Sequence, residues 1–351
     1  MYSCAVQVML LLLGVGLSFA AAGRAAVART PPMGWNSWNS YGCSSKMTAT
    51  HIEAIADKLV SSGLAAAGYT FVNLDDCWAN ASRSGDGSIT GSPAQFPSMK
   101  ALASYVHGKG LKFGLYTSEN NQTCAGRPGS YGYELLDAAT YCDWGVDFVK
   151  IDHCGTGAPG TDGPNHMNES WVRFRQGFDK CAANGGRPMV MSVEYCTAPV
   201  ALKQCVSWFA TNDPTHDDLK PCAEWVREAG ANMWRVASDI APDPTTLLHN
   251  AGCASNLPEL AGYWTGAGGD PDSGHWNDMD MLQVGNGGLS VTWEQIHFSL
   301  WAILAAPLLI STDLTTLSED SLAVLLNRAV IAVNQDSLGR QGRYGRMSPS
   351  T

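Results

Sequence analysis

Charged side chains are scarce in this chain, and basic ones are the scarcer kind. Lys, Arg, Asp and Glu make up 15% of the 351 residues, and 22 basic residues against 32 acidic ones give a net charge of −10 at pH 7. An acidic chain lacks the basic surface that nucleic acids require, so we expect no nucleic-acid partner. Hydrophobic residues reach 45%, which excludes a disordered chain and predicts a large core.

Several motifs of other protein classes are also missing. The chain has no C-x-x-C and no H-E-x-x-H, which disfavours zinc sites, and no G-x-G-x-x-G follows the first predicted strand. After the N-terminal segment no apolar run is long enough to cross a bilayer, since the stretch from 298 to 310 spans 13 residues and contains Pro307. We therefore expect no cofactor, no metal and no membrane span in the mature chain.

The N-terminal segment predicts export. The apolar run Val8–Leu17 has the length of a signal-peptide core and precedes small residues, so residues 1–22 are predicted to be a signal peptide, with an uncleaved anchor as the alternative. Ten of the 11 cysteines lie beyond it, an even number that suits disulfides in an exported chain. The expected location is the cell exterior or an acidic endomembrane compartment such as a vacuole or lysosome. Three N-x-S/T sequons could carry glycans: Asn80, Asn121 and Asn168.

Short β-rich runs alternate with helix-like stretches through the rest of the chain. Eight runs are predicted to be strands: Met33–Trp38, Tyr69–Asp76, Leu111–Tyr116, Val146–Asp152, Met189–Glu194, Asn232–Asp239, His275–Met281 and Pro307–Asp313. Their spacing leaves room for a loop, a helix and a return loop in each unit. The fold class predicted is α/β, a (β/α)₈ TIM barrel, with a doubly wound open sheet as the alternative.

Two helix starts can be read from capping residues. Thr50 and Glu53 have the spacing of a capping box, and Gly63 is expected to stop that helix. A later helix is predicted to begin near Asp243, with Pro244 in its first turn.

Carboxylates gather at the predicted C-terminal ends of the strands, where a barrel carries its chemistry. Side chains alternate along a strand, so Lys150 and Asp152 face one way together, as do Arg235 and Asp239. Further carboxylates follow other strands: Asp75, Asp76, Glu194, Asp278 and Asp280. This pattern places two carboxylates, each with a cation nearby, at one mouth of the barrel.

The pattern suits glycoside hydrolysis. Asp152 beside Lys150 fits an ionised nucleophile. Asp239 fits the acid/base, provided that burial raises its pKa more than Arg235 lowers it. A carboxyl separation of about 5–5.5 Å would predict retention through a covalent glycosyl-enzyme. Three alternatives stay open: structural ion pairs, a non-catalytic sugar-binding barrel, and a metal-dependent hydrolase that uses His153, His166 and His275.

A series of longer motifs then runs in order along the chain. They are P-M-G-W-N-S-W from residue 32, L-D-D-C-W from 74, T-C-A-G from 123, K-I-D-x-C from 150, W-R-x-x-x-D-I from 234 and W-N-D-M-D-M-L from 276. Together they resemble glycoside hydrolase family 27, the α-galactosidase and α-N-acetylgalactosaminidase family. The resemblance implies a retaining exo-glycosidase with its barrel over residues 30–342. The antiparallel β domain that normally follows is expected to be missing or truncated, with 343–351 as a residual tail.

The same resemblance implies roles for individual residues. Asp152 is similar to the family's nucleophile and Asp239 to its acid/base. Asp75 and Asp76 match the pair that binds the galactose 4- and 6-hydroxyls, and Trp35 matches the aromatic wall under the sugar. The remaining implied substrate contacts are Tyr116, Lys150, Glu194, Arg235 and Met281.

The resemblance also implies two disulfides, Cys43–Cys77 and Cys124–Cys154, and leaves six cysteines unassigned. It weakens at Ser192–Cys196, where many members carry Cys-Glu-Trp beside the sugar's 2-position. The expected reaction is hydrolysis of terminal α-D-galactosyl residues, with α-N-acetylgalactosaminidase and β-L-arabinopyranosidase as alternatives. Expected partners are galactosyl oligosaccharides or glycoconjugates, and a homodimer is one assembly open to the chain.

Overall fold

Eight parallel strands form the centre of the molecule. A computed structural model describes residues 26–154, 164–194, 220–255, 257, 261–263 and 273–343. The predicted signal peptide and the residues after 343 lie outside this part of the chain. Each predicted strand is present: β1 Met33–Asn36, β2 Phe71–Asn73, β3 Lys112–Ser118, β4 Phe148–Asp152, β5 Val190–Val193, β6 Met233–Arg235, β7 Trp276–Asp278 and β8 Leu308–Ile310.

The strands pair in the order β7-β6-β5-β4-β3-β2-β1-β8, all parallel. The two ends of this sheet meet just after β7, where Leu282 forms a parallel bridge with Ile310 and its N–H donates to the Leu309 carbonyl at 2.8 Å. The order never reverses, unlike that of a doubly wound sheet. The (β/α)₈ barrel is therefore confirmed.

Helices follow the strands and cover the barrel from outside. Those described are α1 Trp38–Tyr41, α2 Ala49–Ser61, α3 Leu64–Ala67, α4 Met99–Gly108, α5 Glu134–Trp144, α6 Pro164–Ala183, α7 Lys220–Ala229, α8 Pro244–Ser255, α9 Val291–Ile303, α10 Glu319–Leu325 and α11 Arg328–Asn334. Ile52, Ile55 and Leu59 of α2 illustrate the packing, since this apolar stripe is fully buried. Within the described ranges, no helix has both the length and the apolarity needed to cross a bilayer.

The predicted capping box of α2 is wrong by two residues. Thr48 is the N-cap, and its side chain accepts a hydrogen bond from the His51 N–H at 3.4 Å, whereas Thr50 lies inside the helix. Met47 and Ile52 flank this cap at the positions of a hydrophobic staple, and both are fully buried. Burial of this apolar pair fixes where the helix begins and overrides the Thr50 signal.

Two other helix boundaries agree with the sequence. Gly63 lies just beyond α2 in the left-handed conformation, with φ of 86°. Pro244 is the first residue of α8, and Asp243 Oδ1 accepts hydrogen bonds from the N–H groups of Thr245 and Thr246 at 2.9 and 3.0 Å. Asp243 thereby caps backbone donors that the first turn leaves free.

An apolar plug fills the barrel below its mouth. Its members come from five strands and from the loop after β7: Phe71, Phe148, Val190, Met233, Leu309 and Met281. Lys150 and Asp152 lie on the same face of β4 as Phe148, and Arg235 lies on the same face of β6 as Met233. The alternation of the strands thus directs these charged side chains inward, above the plug and toward the C-terminal mouth.

Three disulfides join pairs of described cysteines. Cys43–Cys77 and Cys124–Cys154 have Cα–Cα distances of 5.3 and 4.8 Å and are the two pairs that the resemblance implied. Both link loops at the C-terminal ends of the strands. The third, Cys142–Cys181, joins α5 to α6 on the outside of the barrel with a Cα–Cα distance of 5.8 Å.

Candidate active site

A pocket of about 390 Å³ opens at the C-terminal ends of the strands. Asp152 and Asp239 both line it, as the strand-end argument required. Its wall also contains five more of the predicted side chains: Asp75, Tyr116, Lys150, Arg235 and Met281. Three predicted residues, Trp35, Asp76 and Glu194, do not line it. The remaining lining residues are Trp38, Asn39, Cys124, Ile240, Pro242, Asp280, Gln283 and Asn286.

Asp152 ends β4 and is held at both carboxylate oxygens. The Tyr116 hydroxyl donates to Oδ2 at 2.7 Å, and the His153 N–H donates to Oδ1 at 2.8 Å. Lys150 Nζ lies 3.9 Å from Oδ2. Burial and the charge of Asp152 raise the pKa of Tyr116 far above its ordinary value, so the phenol remains a donor. These contacts hold the carboxylate in a fixed orientation beside a cation.

Lys150 links Asp152 to Asp75. Its Nζ lies 3.3 Å from Asp75 Oδ2, which also accepts a hydrogen bond from Asn36 Nδ2 at 2.9 Å. Burial alone would lower the pKa of Lys150, but the Asp75 and Asp152 carboxylates raise it above its ordinary value. Lys150 therefore stays a cation, between two carboxylates of the pocket.

Asp76 is turned away from the pocket, and its carboxylate accepts hydrogen bonds from backbone N–H groups. Its Oδ2 accepts from the Ala125 N–H at 2.8 Å and its Oδ1 from the Cys77 N–H at 2.6 Å. Burial raises the pKa of Asp76, although these hydrogen bonds lower it. Cys77 has a φ of 75°, a left-handed turn that the Cys43–Cys77 disulfide adjoins. In this structure only Asp75 of the predicted pair faces the pocket.

On the opposite wall, three carboxyl groups surround Arg235. Its guanidinium lies 3.0 Å from Asp239, 3.2 Å from Asp280 and 3.6 Å from Glu194. Burial raises the pKa of Glu194 to about 8, even though Arg235 lowers it. Glu194 is thus expected to be protonated at neutral pH, while Asp239 and Asp280 share the charge of the buried arginine.

Asp239 lies at the rim of the pocket, with 88% of its side chain exposed. Partial burial raises the pKa of its carboxyl, but the charge of Arg235 and its hydrogen bond lower it, and the outcome is a pKa below the ordinary value. The acid/base role predicted from the sequence required burial to raise the pKa of Asp239 more than Arg235 lowers it. In this structure the effect of Arg235 is the larger one.

The prediction that Trp35 forms the sugar-facing wall is wrong. Its side chain is fully buried, and its indole N–H donates to the Thr312 carbonyl at 2.8 Å. Trp35 lies between Gly34 and Asn36 in β1, so the pleat directs it outward into the layer between strands and helices. Trp38, three residues later at the start of α1, is 37% exposed and lines the pocket instead.

The loop after β7 contributes more to the pocket than the sequence indicated. Asp280, noted only as a strand-end carboxylate, lines the wall and has a left-handed φ of 75°. One face of α9 holds this loop: Glu294 Oε1 accepts from the Gly285 N–H, His297 Nε2 accepts from the Gln283 N–H, and the Trp301 indole donates to the Asp280 carbonyl. The 294, 297, 301 spacing in the sequence is the signal that could have revealed this support.

Two of the three histidines of the metal-hydrolase alternative, His153 and His275, lie apart in the described part of the chain. His153 follows β4 at the mouth, with Nδ1 2.6 Å from Glu119 Oε1, whereas His275 precedes β7 and its Nδ1 lies 2.7 Å from the Ala231 carbonyl. The side chain of His166 lies outside the described residues. Asp152 does lie close to Cys124 and Cys154, but these two cysteines are joined in a disulfide and supply no thiolate.

Known proteins share both the sequence and the fold. A family model described as Alpha galactosidase A matches residues 30–336. Alpha-galactosidase A of Cellvibrio japonicus is 41% identical over 322 residues, covering 90% of this chain and 70% of that protein. Alpha-galactosidase of Cyamopsis tetragonoloba is 38% identical over 319 residues, covering 90% and 67%. The crystal structure of alpha-galactosidase I from Mortierella vinacea superposes on this chain with a TM-score of 0.71 at 30% identity. The match covers 90% of this chain and 75% of that protein.

The chain spans about 67–75% of the length of these three proteins. The matched family region contains every strand of the barrel and every residue that lines the pocket. Its paired carboxylates are the groups that glycoside hydrolysis needs. The chain therefore belongs to the α-galactosidase family of glycoside hydrolases, family 27.

Proposed function

We propose that the protein hydrolyses terminal α-D-galactosyl residues with retention of configuration. The observation that carries this is the placement of Asp152 and Asp239 on the walls of one pocket of sugar size. Asp152 attacks the anomeric carbon as Asp239 gives a proton to the departing glycosidic oxygen. Asp239 then takes a proton from water, which displaces Asp152 from the β-galactosyl-enzyme and releases α-galactose.

The wall formed by Asp75 and Lys150 supplies galacto specificity in this proposal. Asp75 Oδ2 already accepts from Asn36 and lies 3.3 Å from Lys150, so a charged acceptor and a charged donor stand together at the pocket. An axial 4-hydroxyl can bond both groups. The equatorial epimer leaves them without a partner in a buried site, which costs affinity.

Asp239 must hold a proton when the leaving group departs. Arg235 works against this in the structure, but Asp280 shares the charge of Arg235 at 3.2 Å. A sugar in the pocket displaces water from the rim and strengthens the desolvation that raises the pKa of Asp239. Substrate binding and Asp280 thus both favour the acid form.

The substrate class is tested with three aryl glycosides on purified protein: an α-galactoside, an α-N-acetylgalactosaminide and a β-L-arabinopyranoside. We expect kcat/KM for the α-galactoside to exceed the other two by about 100-fold or more. The residues after Glu194, which would meet the sugar's 2-position, lie outside the described part of the chain. A preference for another sugar would reassign the substrate. Binding of galactose without turnover would favour the non-catalytic barrel.

The stereochemistry is tested by proton NMR of the sugar released early in the reaction. The α anomer of galactose should appear first and convert slowly to the equilibrium mixture. A first-formed β anomer would contradict the double displacement.

Trp38 is proposed as the aromatic wall in place of Trp35. Trp38→Ala should raise KM about tenfold or more and leave the melting temperature nearly unchanged, because this partly exposed ring lines the pocket. Trp35→Ala, the matched control, should instead lower the free energy of unfolding by about 3–5 kcal/mol through loss of core packing. Kinetics and denaturant unfolding of both variants check this. Similar losses of stability in the two would remove the distinction.

We also infer that natural substrates are galactosyl oligosaccharides or glycoconjugates, met outside the cell or in an acidic compartment. The apolar N-terminal run and the disulfides support export. Sequencing the N-terminus of the mature protein tests cleavage near residue 22. Light scattering tests the homodimer.

A further inference from the structure

A buried carboxyl group paired with a partly exposed imidazole lies directly beside Asp152 and is not used by the chemistry above. Glu119 follows β3, and its side chain is fully buried. Its Oε1 lies 2.6 Å from Nδ1 of His153, whose side chain is 33% exposed. Neither residue lines the pocket. A buried carboxylate is costly unless it has a partner, and the His153 imidazole is such a partner for Glu119.

The Glu119–His153 pair is part of a set of bonds that ties the ends of β3 and β4 together. The Glu119 N–H donates to the Asp152 carbonyl at 3.2 Å, and the Asn120 side-chain amide donates to the Cys154 carbonyl at 2.8 Å. The His153 N–H, in turn, donates to Asp152 Oδ1 at 2.8 Å. The orientation of the nucleophile therefore depends on where the His153 backbone is held.

Three carboxyl groups of the described residues act on His153. Glu119 faces it from the end of β3, Asp152 precedes it on β4, and Glu194 faces it from the end of β5. The hydrogen bond to Glu119 raises the pKa of His153, although burial opposes this. Burial raises the pKa of Glu119, and the imidazole lowers it. Between those two pKa values the pair is an ion pair, which is lost when Glu119 gains a proton or His153 loses one.

We propose that His153, anchored by Glu119, is a positioning residue for Asp152: it fixes the backbone N–H that donates to Oδ1 and sets a positive charge beside the carboxylate. This inference rests on the proposed role of Asp152 as nucleophile. Two consequences follow for the covalent step. Loss of the pair should slow formation of the glycosyl-enzyme more than it weakens sugar binding. It should also move the acidic limb of that step to higher pH.

The test measures covalent labelling by an activated, fluorinated α-galactosyl fluoride, whose glycosyl-enzyme accumulates and is located by mass spectrometry. His153→Gln should be labelled about tenfold more slowly than the wild type, with galactose affinity changed less than about twofold. Its acidic limb should lie higher by about half a pH unit. The matched control is His107→Gln, because His107 Nε2 lies 2.8 Å from Asp147 at the other end of β4. This control should lose stability but keep the wild-type labelling rate and pH profile.

The outcomes separate the two levels of the proposal. If the wild type is not labelled at Asp152, the proposed nucleophile is wrong. If it is, and His153→Gln reproduces its rate and pH profile, the positioning role is wrong. Should His153→Gln fail to fold, Glu119→Gln decides the matter, since it keeps the shape of the buried side chain and removes its charge. The same slowing and the same shift are expected for it, and wild-type behaviour would overturn the inference.

Discussion

Asp152→Asn should lower kcat for an aryl α-galactoside by a factor on the order of 10⁵, because an amide cannot form the covalent intermediate. Asp152 holds its geometry through the Tyr116 hydroxyl at 2.7 Å and the His153 N–H at 2.8 Å. The asparagine keeps the size of the side chain, so the fold should survive. Turnover and circular dichroism measure the two effects, and Asp143→Asn, an exposed carboxylate on α5, is the control that should leave both unchanged.

Replacing Asp152 by glycine gives a second prediction, which concerns the anomeric configuration of the product. Asp152→Gly opens the face from which the nucleophile attacks, so added azide should restore turnover of an activated galactoside and yield the β-galactosyl azide. Wild-type turnover in Asp152→Asn, or the α azide from Asp152→Gly, would refute the assignment.

The barrel itself could be predicted from the sequence because its signal is repeated. Eight apolar β-rich runs at similar spacing leave few other topologies, and each run overlaps a strand of the structure. Seven of the strands are shorter than their runs, as in Tyr69–Asp76, which contains only Phe71–Asn73 as β2, whereas β3 extends past its run to Ser118. The last residues of several runs continue into the mouth as loop. Asp75, Asp239 and Asp280 lie in such loops, whereas other residues of the pocket lie within strands: Tyr116, Lys150, Asp152 and Arg235.

Side-chain direction in those loops was less predictable. Alternation correctly placed Lys150 and Asp152 together, because both lie within β4. Beyond a strand end the rule fails: Asp76 turns to the Ala125 N–H, and the left-handed turn at Cys77 is not visible in a sequence. Trp35 shows the opposite error, since the family resemblance suggested a wall that its position within β1 excludes.

Long-range packing set the remaining limits. The Cys142–Cys181 disulfide depends on how α5 and α6 meet, and cysteine counting cannot supply that. The balance at Asp239 depends on Asp280, which shares Arg235 from a different strand end. The sequence indicates that Arg235, Asp239 and Asp280 lie at strand ends, but only the three-dimensional structure shows that both carboxylates contact the same guanidinium.

Asp239→Ala should lower turnover of an α-galactoside with a poor leaving group by about 10³-fold, since the proton donor is lost. With a dinitrophenyl leaving group, which departs without a proton, the first step should be much less affected, and the glycosyl-enzyme should accumulate. Stopped-flow kinetics would show this as a burst. Because Asp239 lies exposed at the rim, we expect the fold to tolerate the change.

The pH dependence and the rescue product complete the test of Asp239. The acid form is the active one, so wild-type activity should fall as pH rises through the pKa of this carboxyl, and Arg235, which lowers that pKa, places the fall at acidic pH. With a poor leaving group this alkaline limb should be present in the wild type and in Asp143→Asn but absent from the residual activity of Asp239→Ala.

Azide should rescue Asp239→Ala by attacking the glycosyl-enzyme without a general base, and the product should be the α-galactosyl azide, opposite to that of Asp152→Gly. If both variants gave the same anomer, the two aspartates could not hold the separate roles that the pocket assigns to them.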